Sequence, residues 1–186
     1  KDKFIVGYIG THGMAHGLAF ILETAKTITD TSIHFLFVGD GADKENLLAL
    51  HEMLNISNVT FHPSIKREDL PLYLSVLDIA LVPLKKSETF KTVIPSKIFE
   101  AAVMGIPILL GVEGQAKEIV ESYRAGLCFE PGNSIEFTSQ LMSLKGDMIL
   151  YQQLQIGCDK LATAYNRKDW AIKMLNILKD CVNETI

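Results

Sequence analysis

The stretch Phe4-Ile5-Val6-Gly7-Tyr8-Ile9-Gly10-Thr11-His12-Gly13-Met14-Ala15-His16-Gly17-Leu18 decides the fold. Its first half is a short apolar run closed by a glycine, the mark of a strand buried on both faces. Its second half is a glycine-rich turn. From there apolar residues recur at Leu18, Ile21, Leu22, Ala25 and Ile28, the stripe of an amphipathic helix. Strand, glycine turn and helix make one β-α unit. The alternation continues, with strands expected over 33–38, 58–62, 78–84, 107–110 and 126–129. Helices are expected over 43–54, 70–77, 96–104 and 116–122, and from about 134 to the end. Such units build a parallel sheet covered on both faces, here an α/β, Rossmann-like sheet of about six strands. No internal repeat or low-complexity segment interrupts it. The last helix, expected over 168–182, carries Trp170, Met174, Ile177, Leu178 and Cys181 on one stripe.

The bulk properties fit this architecture. A chain of 186 residues, 48% of them hydrophobic, suits one domain with a full core, so residues 1–186 are read as a single unit. The net charge of −4 gives no basic footprint for nucleic acid. Phosphate remains a candidate ligand, because loop amides and helix N-termini bind it without net positive charge. Cys128, Cys158 and Cys181 are odd in number and widely spaced, which argues against a disulfide framework and for a reducing, cytoplasmic setting. No cluster has metal-ligand spacing, and no metal or cofactor is implied. The longest apolar stretch, about 103–112, contains Gly105 and Pro107 and falls short of the roughly 20 residues that span a bilayer. Asn183-Glu184-Thr185 matches a glycosylation acceptor, a tripeptide frequent by chance and given no weight. The abrupt entry from Lys1-Asp2-Lys3 into a strand suggests a piece of a longer protein.

Open parallel sheets bind ligands beyond the carboxyl ends of their strands. Two loops there carry chemistry. In the first, 10–17, Gly10 and Gly13 let backbone amides approach a phosphate, with Thr11, His12 and, secondarily, His16 as side-chain donors. The second is the long loop 85–95 and the helix start Pro95-Ser96-Lys97-Ile98-Phe99-Glu100. Pro95 suits a helix beginning, since its missing N–H is not needed there. Ser96 and Lys97 stand at the positive helix end, where a diphosphate would bind. Glu100 lies about one turn inside, where a carboxylate can accept from the two hydroxyls of a ribose. Taken singly, Lys97 and Glu100 would read as a surface ion pair; the joint placement of the two loops favours a nucleotide.

Competing readings fit the residues less well. A dinucleotide fingerprint needs Gly-x-Gly-x-x-Gly and an acid about 20 residues on. Here the glycines stand at 10, 13 and 17, and Asp40 lies between two glycines. A phosphorelay receiver needs paired acids after the first strand, where this chain has Gly-Thr-His-Gly. No Lys-Ser/Thr phosphate-loop motif occurs.

In order along the chain, the strand-Gly-x-x-Gly-helix opening, Val38-Gly39-Asp40-Gly41, Val59-Thr60-Phe61-His62, Asp78-Ile79-Ala80-Leu81-Val82-Pro83 and Glu100-Ala101-Ala102-Val103-Met104-Gly105-Ile106-Pro107-Ile108 resemble the C-terminal, donor-binding domain of the retaining glycosyltransferases of the GT-B fold, in their largest family. The Pro-Ser-Lys-x-x-Glu form resembles the bacterial branch that includes amino-deoxysugar transferases of surface-polysaccharide assembly. The resemblance covers nearly the whole chain. It implies one half of a GT-B fold, with an N-terminal acceptor domain absent from this chain, and a nucleoside diphosphate sugar donor, by family a UDP-sugar. It further implies a glycan or lipid-linked acceptor reached through the missing domain, and peripheral association of the full-length protein with the inner face of the membrane. Gly10 to Gly13 and Lys97 would then meet the diphosphate, the loop at Pro63-Ser64-Ile65 the base, and Glu100 the ribose. Trp170 would open a helix that crosses back to the other domain.

Departures bear on the sugar. Where the family often has a further glutamate this chain has Thr92, and Thr11 and His16 stand where it often has an Arg and a Lys. Lys85, Lys86 and Lys91 are the alternative sources of positive charge. Three other classes stay open at this point. They are a nucleotide-sugar epimerase of the same fold, a nicotinamide-dependent oxidoreductase, and a non-catalytic sugar-nucleotide module.

Overall fold

The computed structural model describes residues 2–183, and for Val182 and Asn183 the backbone only. Lys1, and Glu184 and Thr185 of the acceptor-like tripeptide, lie outside the described residues. Strands β1 (Phe4–Ile9), β2 (Ile33–Val38), β3 (Val59–His62), β4 (Ile79–Pro83), β5 (Ile108–Gly111) and β6 (Gly126–Cys128) alternate with helices α1 (Leu18–Thr27), α2 (Lys44–Leu54), α3 (Leu70–Leu74), α4 (Lys97–Val103) and α5 (Gln115–Tyr123). Three helices end the described chain: α6 (Ser134–Gly146), α7 (Met148–Ala164) and α8 (Arg167–Asn183). Among the described residues the six strands form one sheet in the order β3-β2-β1-β4-β5-β6, with every pairing parallel.

Successive side chains of a strand point to opposite faces, and both faces here are apolar. Val6 and Tyr8, Phe35 and Phe37, Ile79 and Leu81, and Leu109 pack to one side, against Ile21 and Leu22 of α1, Leu47 of α2 and Phe137 and Leu141 of α6. Ala80, Val82, Ile108 and Leu110 pack to the other, against Ile98 and Ala102 of α4, Val120 of α5 and Cys158 and Leu161 of α7. Each fully buried Leu, Ile or Phe contributes about 1.5–3 kcal/mol, so the two clusters together dominate the stability. The axis of α7 lies close to its neighbours at Gly157, where a Cβ would strike the carbonyl oxygen of Arg124.

The structure departs from the sequence expectation at two elements. The helix expected over 70–77 ends at Leu74, after a 3-10 turn at Arg67–Asp69. Its apolar spacing is real, but Leu77 drops into the space left by the missing side chain of Gly7. Asp78 then closes onto β1, donating its amide to the Ile5 carbonyl and accepting the Ile5 amide at 2.7 Å. The second element is the long loop 85–95, which holds a 3-10 helix at Glu88–Thr92. The last helix forms as expected, yet every residue from Arg167 to Cys181 is exposed, Trp170 at 51% and Met174 at 64%.

The sheet order reverses between β1 and β4. Their carboxyl ends, with that of β2, open a crevice where ligands of such sheets bind.

Candidate functional site

The crevice is a cleft of about 360 Å³ lined by Gly10, Thr11, Gly39, Asp40, Ser64, Ile65, Lys66, Arg67, Leu70, Ser96, Lys97 and Glu100, with Ile9 and Val38 at its base. Its floor is the crossing of two loops. Past β1 the chain lies against the chain past β2. A Cβ on Gly39 would fall on the Gly10 carbonyl, and one on Gly41 would stand 2.6 Å from the His12 carbonyl oxygen. Both glycines have positive φ, +142° and +158°. Glycine therefore answers two demands at once there, close approach and an unusual backbone conformation. Two main-chain bonds stitch the crossing, His12 N–H to Asp40 C=O at 2.8 Å and Asp43 N–H to His12 C=O at 2.9 Å.

One wall comes from α4. The Lys97 stem runs beneath Gly10, where a Cβ would meet Nζ at 2.6 Å, and the ammonium stands 5.3 Å from the centroid of the Tyr8 ring. Among the described residues Lys97 makes no hydrogen bond or ion pair. Burial pulls its pKa below the usual lysine value, and Glu100 partly opposes that shift. A half-buried ammonium without a hydrogen-bond partner is a strong seat for an anion. Glu100 is held in place by the Ser96 hydroxyl, which donates to Oε1 at 3.1 Å, and it lines the cleft. Tyr8 supports the opposite side, its hydroxyl donating to the Thr11 carbonyl at 2.6 Å. The amides of Thr11, Ser96 and Lys97 donate to no acceptor among the described residues.

The structure thus gathers Gly10, Thr11, Ser64, Ser96, Lys97 and Glu100 from three separate segments into one cleft. It sets the other candidates apart. His12, expected to donate to a diphosphate, is fully buried, with its ring boxed by Tyr8, Phe37 and Phe61 and its amide already given to Asp40. His16 points back at the Gly13 carbonyl, 3.2 Å from Nδ1, and Gly13 and Pro95 do not line the cleft. Lys85 lies beside Gly17, Lys86 pairs with Glu130, and Lys91 pairs with Glu88 at 2.7 Å. The Thr92 hydroxyl donates to Thr89 C=O at 3.2 Å within its own turn. Arg67 and Leu70 are cleft residues that the sequence reading passed over; the rule that ligands gather beyond strand ends would find them once applied past residue 66.

A second cleft, about 420 Å³, lies at the amino ends of β1–β3. Its polar groups already serve one another, Lys3 to Thr31 C=O, Lys26 to Asn55 C=O and Asp30 to Lys145. It therefore has no unmet demand of the kind seen at Lys97.

Residues 3–147 match the family model described as glycosyl transferases group 1. WcaI of Escherichia coli (strain K12), a glycosyl transferase named for colanic acid biosynthesis, is 27% identical over 133 residues, covering 70% of this chain and 32% of that protein. TuaH of Bacillus subtilis (strain 168), a glycosyltransferase named for teichuronic acid biosynthesis, is 27% identical over 109 residues, 59% of this chain and 27% of that one. The chain therefore spans about a third or less of the length of these curated relatives. Among solved structures, sucrose-phosphate synthase from Thermosynechococcus elongatus superposes with a TM-score of 0.81 at 19% identity, over 98% of this chain and 46% of that one. Anabaena HepE, solved in complex with UDP and glucose, gives 0.78 at 18% identity over 94% of this chain and 49% of that one. At such identities these likenesses speak for the fold.

Proposed function

The chain belongs to the group 1 glycosyl transferases, and from that premise we propose that it is the donor-binding half of a retaining enzyme that uses a nucleoside diphosphate sugar, with UDP as the nucleotide. The observation that carries this reading is the lone Lys97 ammonium beneath Gly10, with Glu100 one turn further along the same helix. That spacing offers a cation to a diphosphate and a carboxylate to the adjoining ribose. The open amides of Thr11, Ser96 and Lys97 add donors to the phosphate oxygens. Ser64 and Ile65, which also line the cleft, are assigned to the base. Two things support a UDP-sugar: the resemblance in sequence, and a fold shared with a protein crystallised with UDP and glucose.

In the proposed reaction the bond between the sugar anomeric carbon and the diphosphate oxygen breaks. The acceptor hydroxyl forms the new bond on the same face, and its proton passes to the departing phosphate. The protein's part is to fix the donor and to stabilise the charge that grows on the leaving diphosphate, a task for Lys97 and the loop amides. A glycan or lipid-linked acceptor would be presented by a second domain outside this chain, so the chain binds donor but transfers nothing by itself. Work at the cytoplasmic face of a membrane, by peripheral contact of the full-length protein, belongs to the same proposal. Among the described residues no helix is long and apolar enough to cross a membrane, and Cys128 and Cys158 are free thiols.

Titration calorimetry with UDP, ADP, GDP, CDP and UDP-sugars tests the reading. UDP and a UDP-sugar should bind, and Glu100→Ala should weaken them by about 1–3 kcal/mol, the range for a lost charge-assisted hydrogen bond. An unchanged affinity in that variant would remove Glu100 from the site. No binding by any nucleotide would remove the reading itself, and sugar transfer by the chain alone would remove the need for a second domain.

A further inference from the structure

His12 is the one fully buried ionisable side chain of the cleft-forming loops. Among the described residues both ring nitrogens lack a hydrogen-bond partner. The ring is enclosed by Tyr8 at 5.8 Å, Phe61 at 6.0 Å and Phe37 at 6.4 Å between centroids. Its own main chain is the stitch between the two loops of the cleft floor, through Asp40 C=O and Asp43 N–H. Side chain and backbone of one residue thus tie the Gly10–Gly13 loop to the core below and to the Gly39–Gly41 loop beside it.

Resting on the nucleotide reading above, we propose that His12 is a positioning residue: its neutral ring, seated in the aromatic box, locks the two loops in the arrangement that receives the diphosphate, and protonation of the ring unlocks them. The box offers a neutral ring good packing and offers a charged one no acceptor, so the cation cannot stay where the neutral ring sits. The charged groups around it lean the same way. Lys44, whose ammonium donates to Gly39 C=O and lies over Phe61, opposes a second positive charge, as do His16 and Lys97; Asp40 alone favours it. His51 packs edge-on against the far side of Phe61, with its Nε2 unpartnered. Burial is the largest influence, and together these push the His12 pKa down to about 4.

The sign follows by linkage. A free histidine has a pKa of about 6.5, so between pH 6.5 and 4 the unlocked loop holds a proton that the locked loop does not. Falling pH therefore favours the unlocked state, by about 20-fold at pH 5 relative to pH 7 for values of 4 and 6.5.

Affinity for UDP-glucose, whose diphosphate keeps a constant charge over this range, should be measured from pH 7.5 to 4.5. Amide hydrogen exchange of His12 and Asp43 should be followed alongside in the ligand-free chain. The wild type should lose at least threefold in affinity across the range and expose both amides as it does so. His12→Phe, which refills the box without a titrating group, should match the wild type at pH 7.5 and lose the acid-side fall in both measurements. His12→Ala should bind at least fivefold more weakly at pH 7.5, and His16→Asn should keep the acid-side fall. The same fall in His12→Phe as in the wild type would overturn the proposal, as would amides that stay protected down to pH 4.5. If no variant binds UDP-glucose at any pH, the nucleotide reading fails instead, and the exchange data still decide whether His12 holds the loops together.

Discussion

Replacing Lys97 by methionine separates a ligand-binding cation from a structural one. Methionine keeps an unbranched apolar stem of similar reach beneath Gly10, so the packing there survives. What disappears is the ammonium. In the free protein that loss has two opposed parts: the contact with the Tyr8 face is given up, worth about 0.5–2 kcal/mol, and the burial of a charge is relieved. The two nearly cancel, so the free domain should keep its unfolding free energy to within about 1 kcal/mol. Nothing cancels in the complex. A charge-assisted hydrogen bond to a diphosphate contributes about 1.5–3 kcal/mol, so Kd for UDP should rise about 10- to 150-fold. Urea denaturation of the free chain and calorimetry with UDP, both at low and high salt, give the two numbers. The variant should also show a shallower salt dependence of binding than the wild type, having one cation fewer. A Kd within twofold of wild type would refute the anion seat. A stability loss of more than about 2 kcal/mol, beyond the upper value of the aromatic contact, would instead make Lys97 a structural group.

Three more outcomes follow from the packing. Gly157→Ala puts a methyl group against the Arg124 carbonyl, a main-chain atom that cannot step aside, and should lower the unfolding free energy by about 1–3 kcal/mol, read from urea midpoints. Asp30, which accepts from Lys145 at 2.7 Å and from Ser32, has its carboxyl held well below the ordinary range, so the stability it adds is present above about pH 4 and lost as acidification protonates it. Asp30→Asn should accordingly be less stable than the wild type at pH 7, with the gap narrowing toward pH 2; a gap that stays constant with pH would refute the ion pair's role. Because the described side chains of α8 are exposed, ending the chain after Asn166 should move the thermal midpoint of the remaining domain by less than about 2 °C and leave UDP affinity intact, whereas a loss of cooperative unfolding would show that α8 is part of the core.

The β-α rhythm was legible because a strand buried on both faces has no polar interruption, and each of these ends in a glycine, proline or short polar turn. Lys97 and Glu100 were legible for a different reason: their spacing along one helix is fixed by local geometry. The burial of His12 is hidden in the sequence because it is a long-range fact. A histidine in a glycine-rich turn looks solvated until Gly39 and Gly41, nearly thirty residues away, close over it. Arg67 and Leu70 were missed since their place in the cleft depends on where the crossover from β3 to β4 leaves the sheet. The early end of α3 escaped notice because Leu70, Leu74 and Leu77 keep helical spacing whether the last of them ends a helix or fills the notch above Gly7. For α8 the apolar stripe foretold a helix but not what meets it.

The crossing of the two loops at Gly10, Gly39 and Gly41 is built from main-chain atoms, and main chain carries no residue identity. Exchanges at Thr11 or Ser64 can alter which groups line the cleft while the crossing beneath them keeps its shape. An exchange at either Gly39 or Gly41 moves the crossing itself and every group resting on it at once. Saturation mutagenesis of this cleft should thus sort into two populations, interchangeable upholstery and an unalterable frame, and new donor preferences would be found by varying the former alone.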